Sequence, residues 1–170
     1  ATASLDLYEN ILFFVSDREG GYGGRDIWMV KKLPFGNWTE PQNLGEPINT
    51  EYDEESPFLH PDGKTLYFSS VGHKSMGGFD IFKSTLNENI TWSAPENIGY
   101  PINTVGDDLF FMPAVSGNHA YFSSYRDEGK GDYDIFELSL LNEEESHLSV
   151  YKGVVKCQNH VVLKLSLIHI

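Results

Sequence analysis

Three aspartates, Asp26, Asp80 and Asp134, stand 54 residues apart, each just after a glycine-rich segment and just before an Ile-aromatic pair. A carboxylate placed there can accept backbone N–H bonds and hold the glycine loop, or it can face a ligand or a calcium ion. The loop-holding role is the expectation. Asp53, Glu54, Glu55, Asp107 and Asp108 could supply oxygens to a hard cation, but they lack an EF-hand pattern or a second ligand run. They are expected to form a solvated acidic rim. Trp38 and Trp92 could stack on a sugar, yet aromatic side chains at equal repeat positions more often fill the space between packed units. A core role is therefore expected for both. Arg18, Lys74, Arg126 and Lys130 fall in the glycine-rich loops and define a mixed-charge candidate interaction face. His60, His73, His119, His147 and His160 share neither metal spacing nor a repeat position, and neither a Gly-x-Ser-x-Gly elbow nor a phosphate loop occurs. No catalytic, cofactor or metal residue is assigned.

The elements that must position these residues recur with the same period. Phe14, Phe68 and Phe122 keep the 54-residue spacing, as do Trp38 and Trp92, Pro41 and Pro95, Asn43 and Asn97, and Pro47-Ile48-Asn49-Thr50 against Pro101-Ile102-Asn103-Thr104. Such a period marks an array in which each unit buries its apolar face against the next. Within a unit, a β-branched and aromatic run (Ile11–Ser16, Thr65–Ser70, His119–Ser124) has strand length, and its consecutive apolar residues point to cover on both faces. A glycine loop follows, its glycines permitting the positive φ of a tight reversal, and then a second strand beginning near Asp26, Asp80 or Asp134. A shorter third strand opens at Trp38 or Trp92 and contains Pro41 or Pro95, which places it at a sheet edge. A fourth, Ser56–Leu59 or Phe110–Val115, is expected to close the unit.

Four antiparallel strands per repeat describe a propeller blade. The expected fold is all-β: about three four-stranded antiparallel blades over residues 1–141 (about 10–57, 58–111 and 112–141), an open arc of a larger ring. An acidic linker, 142–147, and the first strand of a different β domain, His147 to Val155, follow. Residues 165–170, Leu-Ser-Leu-Ile-His-Ile, resemble the translation of a transposon end used in library preparation and are expected to be a sequencing scar; the alternative is an ordinary strand. The chain is expected to be a fragment, and an isolated arc with uncovered sheets to be marginal or oligomeric. With 12 basic against 25 acidic residues, net −13, and no basic cluster, it is unsuited to nucleic acid or an anionic membrane surface. No apolar run is long enough for a membrane helix, and the lone Cys157 excludes an intrachain disulfide framework.

Tyr67-Phe68-Ser69-Ser70 after His60-Pro61-Asp62-Gly63-Lys64, followed by Gly78-Phe79-Asp80-Ile81-Phe82, resembles the TolB-type, WD-repeat-like β-propeller repeat over about residues 10–141. The longer pattern Trp-x-x-Pro-x-Asn-[Leu/Ile]-Gly-x-Pro-Ile-Asn-Thr, in two copies, is similar to the propeller of OmpA-family outer-membrane-associated proteins. That resemblance implies a periplasmic, outer-membrane-associated location and the start of a carboxypeptidase-regulatory-like β-sandwich at 148–164. Peptidoglycan would be bound only through a domain absent from this chain. It also implies a non-catalytic scaffold, without cofactor, whose partner is an envelope protein or a glycan. The alternative is a carbohydrate-active or glycan-binding propeller using the repeat Asp and Trp positions.

Overall fold

The computed structural model describes residues 2–126, 129, 131–139, 151–156 and 162–167. Two compact units are present, Ala1–Leu140 and Leu141–Ile170. Among the described residues there is no helix. In the first unit β1 (Ala3–Leu5), β2 (Ile11–Ser16), β3 (Asp26–Lys31) and β4 (Gln42–Asn43) form one antiparallel sheet in that spatial order. A second has β5 (Glu54–Leu59), β6 (Thr65–Ser70), β7 (Asp80–Thr85) and β8 (Glu96–Asn97), again in chain order. The third holds β9 (Asp108–Pro113), β10 (His119–Ser124) and β11 (Asp134–Ser139). In the other unit β12 (Tyr151–Lys156) pairs antiparallel with β13 (Val162–Leu167). Leu165–Leu167 of the C-terminal hexapeptide therefore lie in a strand, while the linker 142–147 falls outside the described residues.

The strand containing Ser56–Leu59 does not close the first sheet. It pairs with β6, Phe58 opposite Tyr67 and Leu59 opposite Leu66, and is an edge strand of the second sheet. The reason is the tight turn His60-Pro61-Asp62-Gly63, which folds β5 straight back onto β6. Gly63 takes φ 70° there, and the Asp62 carboxylate accepts the Lys64 and Thr65 N–H groups at 2.8 Å each. The first sheet obtains its corresponding edge strand from Ala3–Leu5, through a turn the sequence disguises. Glu9, with φ 55°, stands 54 residues before Gly63, and Asp6 supplies the carboxylate that accepts from Asn10 and Ile11. The opposite edges of these two sheets are the two-residue strands β4 and β8, directly after Pro41 and Pro95.

Strand alternation assigns each face of a sheet to a different neighbour. Phe13, Val15 and Ile27 of the first sheet, with Ile48, meet Leu59, Leu66, Phe68 and Phe82 of the second in one buried cluster. Ile81, with Tyr67 against it, meets Phe111, Ala120 and Phe122 of the third in another. The second sheet is thus covered on both faces.

Carboxylates divide into two groups with opposite pH behaviour. Partial burial works to raise the Asp62 pKa, but the Lys64 and Thr65 N–H bonds, the Thr65 hydroxyl and His60 outweigh it and hold the carboxyl at about 2, against 3.8 ordinarily. Its contribution is present above the ordinary Asp range and lost as pH falls through about 2. Burial pushes Glu54 and Asp108 the other way, above 4.5 and 3.8, so their contribution is present at low pH and lost as pH rises through the raised values. The melting temperature is expected to peak in mildly acidic solution. Melts from pH 2 to 8 should show Asp62→Asn flattening the acid limb and Glu54→Gln the upper limb; an unchanged acid limb in Asp62→Asn would disprove the assignment.

Candidate functional site

The loops joining β2 to β3 and β6 to β7, together with the connections between sheets, gather at one end of the first unit. A repeated side-chain network builds this end. Asp26 opens β3 fully buried, and its carboxylate accepts the Tyr22 N–H at 2.5 Å and the Asn43 amide at 2.8 Å. Asn49 then accepts the Ile27 N–H and donates to the Ile27 carbonyl, both at 2.9 Å, so that its side chain acts as one more residue of strand pairing. It also donates to Asn43 Oδ1 at 2.7 Å. The second sheet repeats the arrangement with Asp80, Asn97 and Asn103. Asp80 accepts the Met76 N–H and the Asn97 amide, and Asn103 pairs with Ile81 at 2.8 Å in both directions. Asp134 opens β11 half-buried at the corresponding place.

The acidic residues of the inter-sheet connections are not a solvated rim. Glu54 and Asp108 are fully buried and Glu55 nearly so. They begin β5 and β9, where the carboxylate caps the preceding turn: Glu54 accepts from Thr50 N and Oγ1 and from Ser70 Oγ, and Asp108 from Thr104 and Ser124. Asp53 and Asp107 stay part-exposed and accept the Arg25 and Phe79 N–H groups. The Arg25 guanidinium bridges Asp53 and Glu55.

The glycine pairs serve close approach rather than left-handed φ. Among the loop glycines only Gly20 has positive φ. A Cβ on Gly23 or Gly77 would overlap the backbone of Glu51 or Val105, and one on Gly24 or Gly78 would overlap the Asp53 or Asp107 carboxylate. Each hairpin loop is pressed onto the connection leaving its sheet, which fixes both.

The basic residues of the candidate face meet different surroundings. Arg126 donates to the Pro101 and Ile102 carbonyls at 2.8 and 2.9 Å and to Ser124, with its guanidinium over Phe122 and Phe136. Its charge is bound into the fold. Arg18 is exposed, stacked over Phe14 and Trp28. Lys74 is exposed on the β6–β7 loop, and Lys130 lies outside the described residues, as do His147 and His160. His73 takes the place that Arg126 has in the next sheet. Its Nε2 is 3.0 Å from the Ile48 carbonyl and its ring lies against Phe68 and Phe82; loss of water there pushes its pKa down, although one edge stays exposed.

Beside His73 runs an open groove of about 600 Å³, walled by Tyr22, Glu46, Glu51 and Tyr52 and floored by Asn49 and Thr50. The floor belongs to the repeat, and the walls do not. At the positions 54 residues on from those four walls stand Met76, Tyr100, Val105 and Gly106. The main-chain path is kept, with cis Glu46–Pro47 matched by cis Tyr100–Pro101. Both tyrosines are more than half exposed, and among the described residues no Lys or Arg lines the groove. An aromatic wall beside two free carboxylates is the chemistry that receives a cation.

The sequence shows Asn43 and Asn49 as repeated positions, but their bonding follows only from the sheet geometry. The groove walls stand in the sequence as departures from the repeat, at Tyr22, Glu46, Glu51 and Tyr52. Among the described residues no group of three or more His, Cys, Asp or Glu is arranged to hold a metal ion, and no helix is long and apolar enough to cross a membrane. Set against known protein families and curated proteins, the chain matches no family model and no curated sequence.

Proposed function

We propose that residues 1–141 are blades of a β-propeller from an OmpA-family outer-membrane-associated protein, acting in the periplasm as a non-catalytic scaffold that holds a protein partner. Support for the blade reading comes from the stacked antiparallel sheets at a 54-residue period with two-residue outer strands. The observation that carries the binding role is the groove between Tyr22, Tyr52, Glu46 and Glu51, where exposed residues break the repeat. A strictly repeated surface serves packing, whereas residues that depart from it in one concave place serve that place alone. The partner is a protein segment with Lys or Arg side chains. The carbohydrate-active alternative gains nothing from Asp26 and Asp80, whose carboxylates are buried and tied to backbone N–H groups.

Selection of displayed peptides on the folded chain tests this reading. Bound sequences are expected to be rich in Lys and Arg, and Glu46→Lys with Glu51→Lys should weaken them about tenfold or more, because rim and groove charges set both encounter and register. Arg18→Glu with Lys74→Glu should leave binding within about twofold. Acidic or neutral peptides, or binding lost only in the Arg18 and Lys74 variant, would move the interface to the loop cations.

A further inference from the structure

Arg126 shows how this fold holds a guanidinium at the loop end of a sheet. Its Nη2 donates to two successive carbonyls, Pro101 and Ile102, at 2.8 and 2.9 Å, its Nε donates to Ser124 at 2.9 Å, and the group lies over Phe122 and Phe136. The same cradle stands 54 residues earlier as Pro47, Ile48, Ser70, Phe68 and Phe82. Its main chain follows the same course, since the Ile48 and Asn49 N–H groups reach the Gly45 carbonyl as those of Ile102 and Asn103 reach Gly99. No arginine of the chain fills it. Gly72 stands at the position of Arg126, and a Cβ there would lie 2.3 Å from Thr50 Oγ1.

His73 fills the cradle in part. With φ 53° it turns its ring onto Phe68 and Phe82, and its Nε2 lies 3.0 Å from the Ile48 carbonyl. A carbonyl only accepts, so Nε2 carries the proton and Nδ1 of the neutral ring is an acceptor. The second carbonyl is left over: among the described residues no group donates to that of Pro47. Pro47 and His73 both line the groove of Tyr22, Glu46, Glu51 and Tyr52. The wall charges complement this difference. Where the guanidinium is built in, the wall positions hold Tyr100 and Val105; where it is missing, they hold Glu46 and Glu51.

We infer that the groove is an arginine-binding site, in which the guanidinium of a partner's arginine donates to the Pro47 carbonyl, as that of Arg126 donates to Pro101, between the Glu46 and Glu51 carboxylates and the tyrosine rings. This rests on the cation-binding reading of the groove and narrows it from lysine or arginine to arginine. A guanidinium carries five N–H donors in one plane and offers its face to an aromatic ring, which suits a carbonyl, two carboxylates and two tyrosines set around one opening. An ammonium is a point charge with three donors and cannot serve so many directions. The floor adds no competing donor, because the Asn49 amide donates to Ile27 and Asn43 and the Thr50 hydroxyl to Glu54.

Amide chemical-shift titration of the full chain tests the inference at about pH 8, where His73 is neutral. The probes are capped peptides Gly-Gly-X-Gly-Gly in which X is arginine, lysine or citrulline. The arginine peptide is expected to shift the amides of Tyr22, Glu46, Glu51 and His73 and to bind about tenfold or more tightly than the lysine peptide. Citrulline keeps the shape without the charge and should also bind at least about tenfold more weakly than arginine. His73→Arg supplies a guanidinium from within the chain, so it should weaken the arginine peptide about tenfold while circular dichroism stays that of the parent. If that variant does not fold, the peptide comparison on the parent chain decides alone. Equal binding of the lysine or the citrulline peptide would overturn the arginine assignment; with lysine it would leave the groove a general cation site. Absence of shifts with both charged peptides, or arginine binding untouched in Glu46→Lys with Glu51→Lys, would overturn the cation-binding reading and the inference with it. A folded His73→Arg chain that binds arginine as before would overturn the docking at Pro47.

Discussion

Asn103→Ala is expected to lower the stability of the first unit by about 3 kcal/mol, out of proportion to the few atoms removed. The side chain is fully buried and bonds to both the N–H and the carbonyl of Ile81 and to Asn97. Alanine leaves the Ile81 N–H and carbonyl in a dry interior without a partner, and releases the connection that leads into β9. Each buried polar group so orphaned costs about 1–3 kcal/mol, and the losses overlap because one side chain serves them all. Urea unfolding followed by circular dichroism measures the change as a shift in midpoint at constant slope. A loss below about 1 kcal/mol would mean that water replaces the asparagine and that the network is not structural.

The second large effect is a contrast within the repeat. Ile81→Ala should cost about 3–4 kcal/mol, the usual range for a buried isoleucine that leaves a cavity. Ile135→Ala, at the same repeat position, should change stability by less than about 0.5 kcal/mol in solutions dilute enough to suppress association. Ile81 sits in the cluster between second and third sheets, while Ile135 is exposed on the third sheet. The comparison isolates the neighbouring sheet as the source of the energy, because strand, flanking residues and side chain are matched. Equal losses at the two positions would show that Ile135 is covered in the folded chain.

Much of the architecture was legible because packing leaves a periodic trace. A strand covered on both faces needs consecutive apolar residues, as in Leu66-Tyr67-Phe68, and a stacked unit must repeat them at the same places. Turn chemistry was legible where it took its usual form, as in Pro61-Asp62-Gly63, and was missed where Leu7-Tyr8-Glu9 performs the same reversal with Asp6 as acceptor. The edge position of the short strands followed from Pro41 and Pro95, which lack the N–H an interior strand must donate.

The amino-acid order by itself determined the repeat, the all-β class and the hairpins, since these depend on local propensity and on alternation along single strands. Only the tertiary structure decided which sheet the strands β1, β5 and β9 join, because β5 could pair backward or forward and the choice rests on the turn at His60–Gly63. It also decided that Glu54 and Asp108 are buried caps and not surface charges, that Arg126 is held within the fold, and that Trp38 and Trp92 meet different surroundings. Burial depends on what lies across from a residue, and in a stacked array that neighbour is some 54 residues distant in sequence.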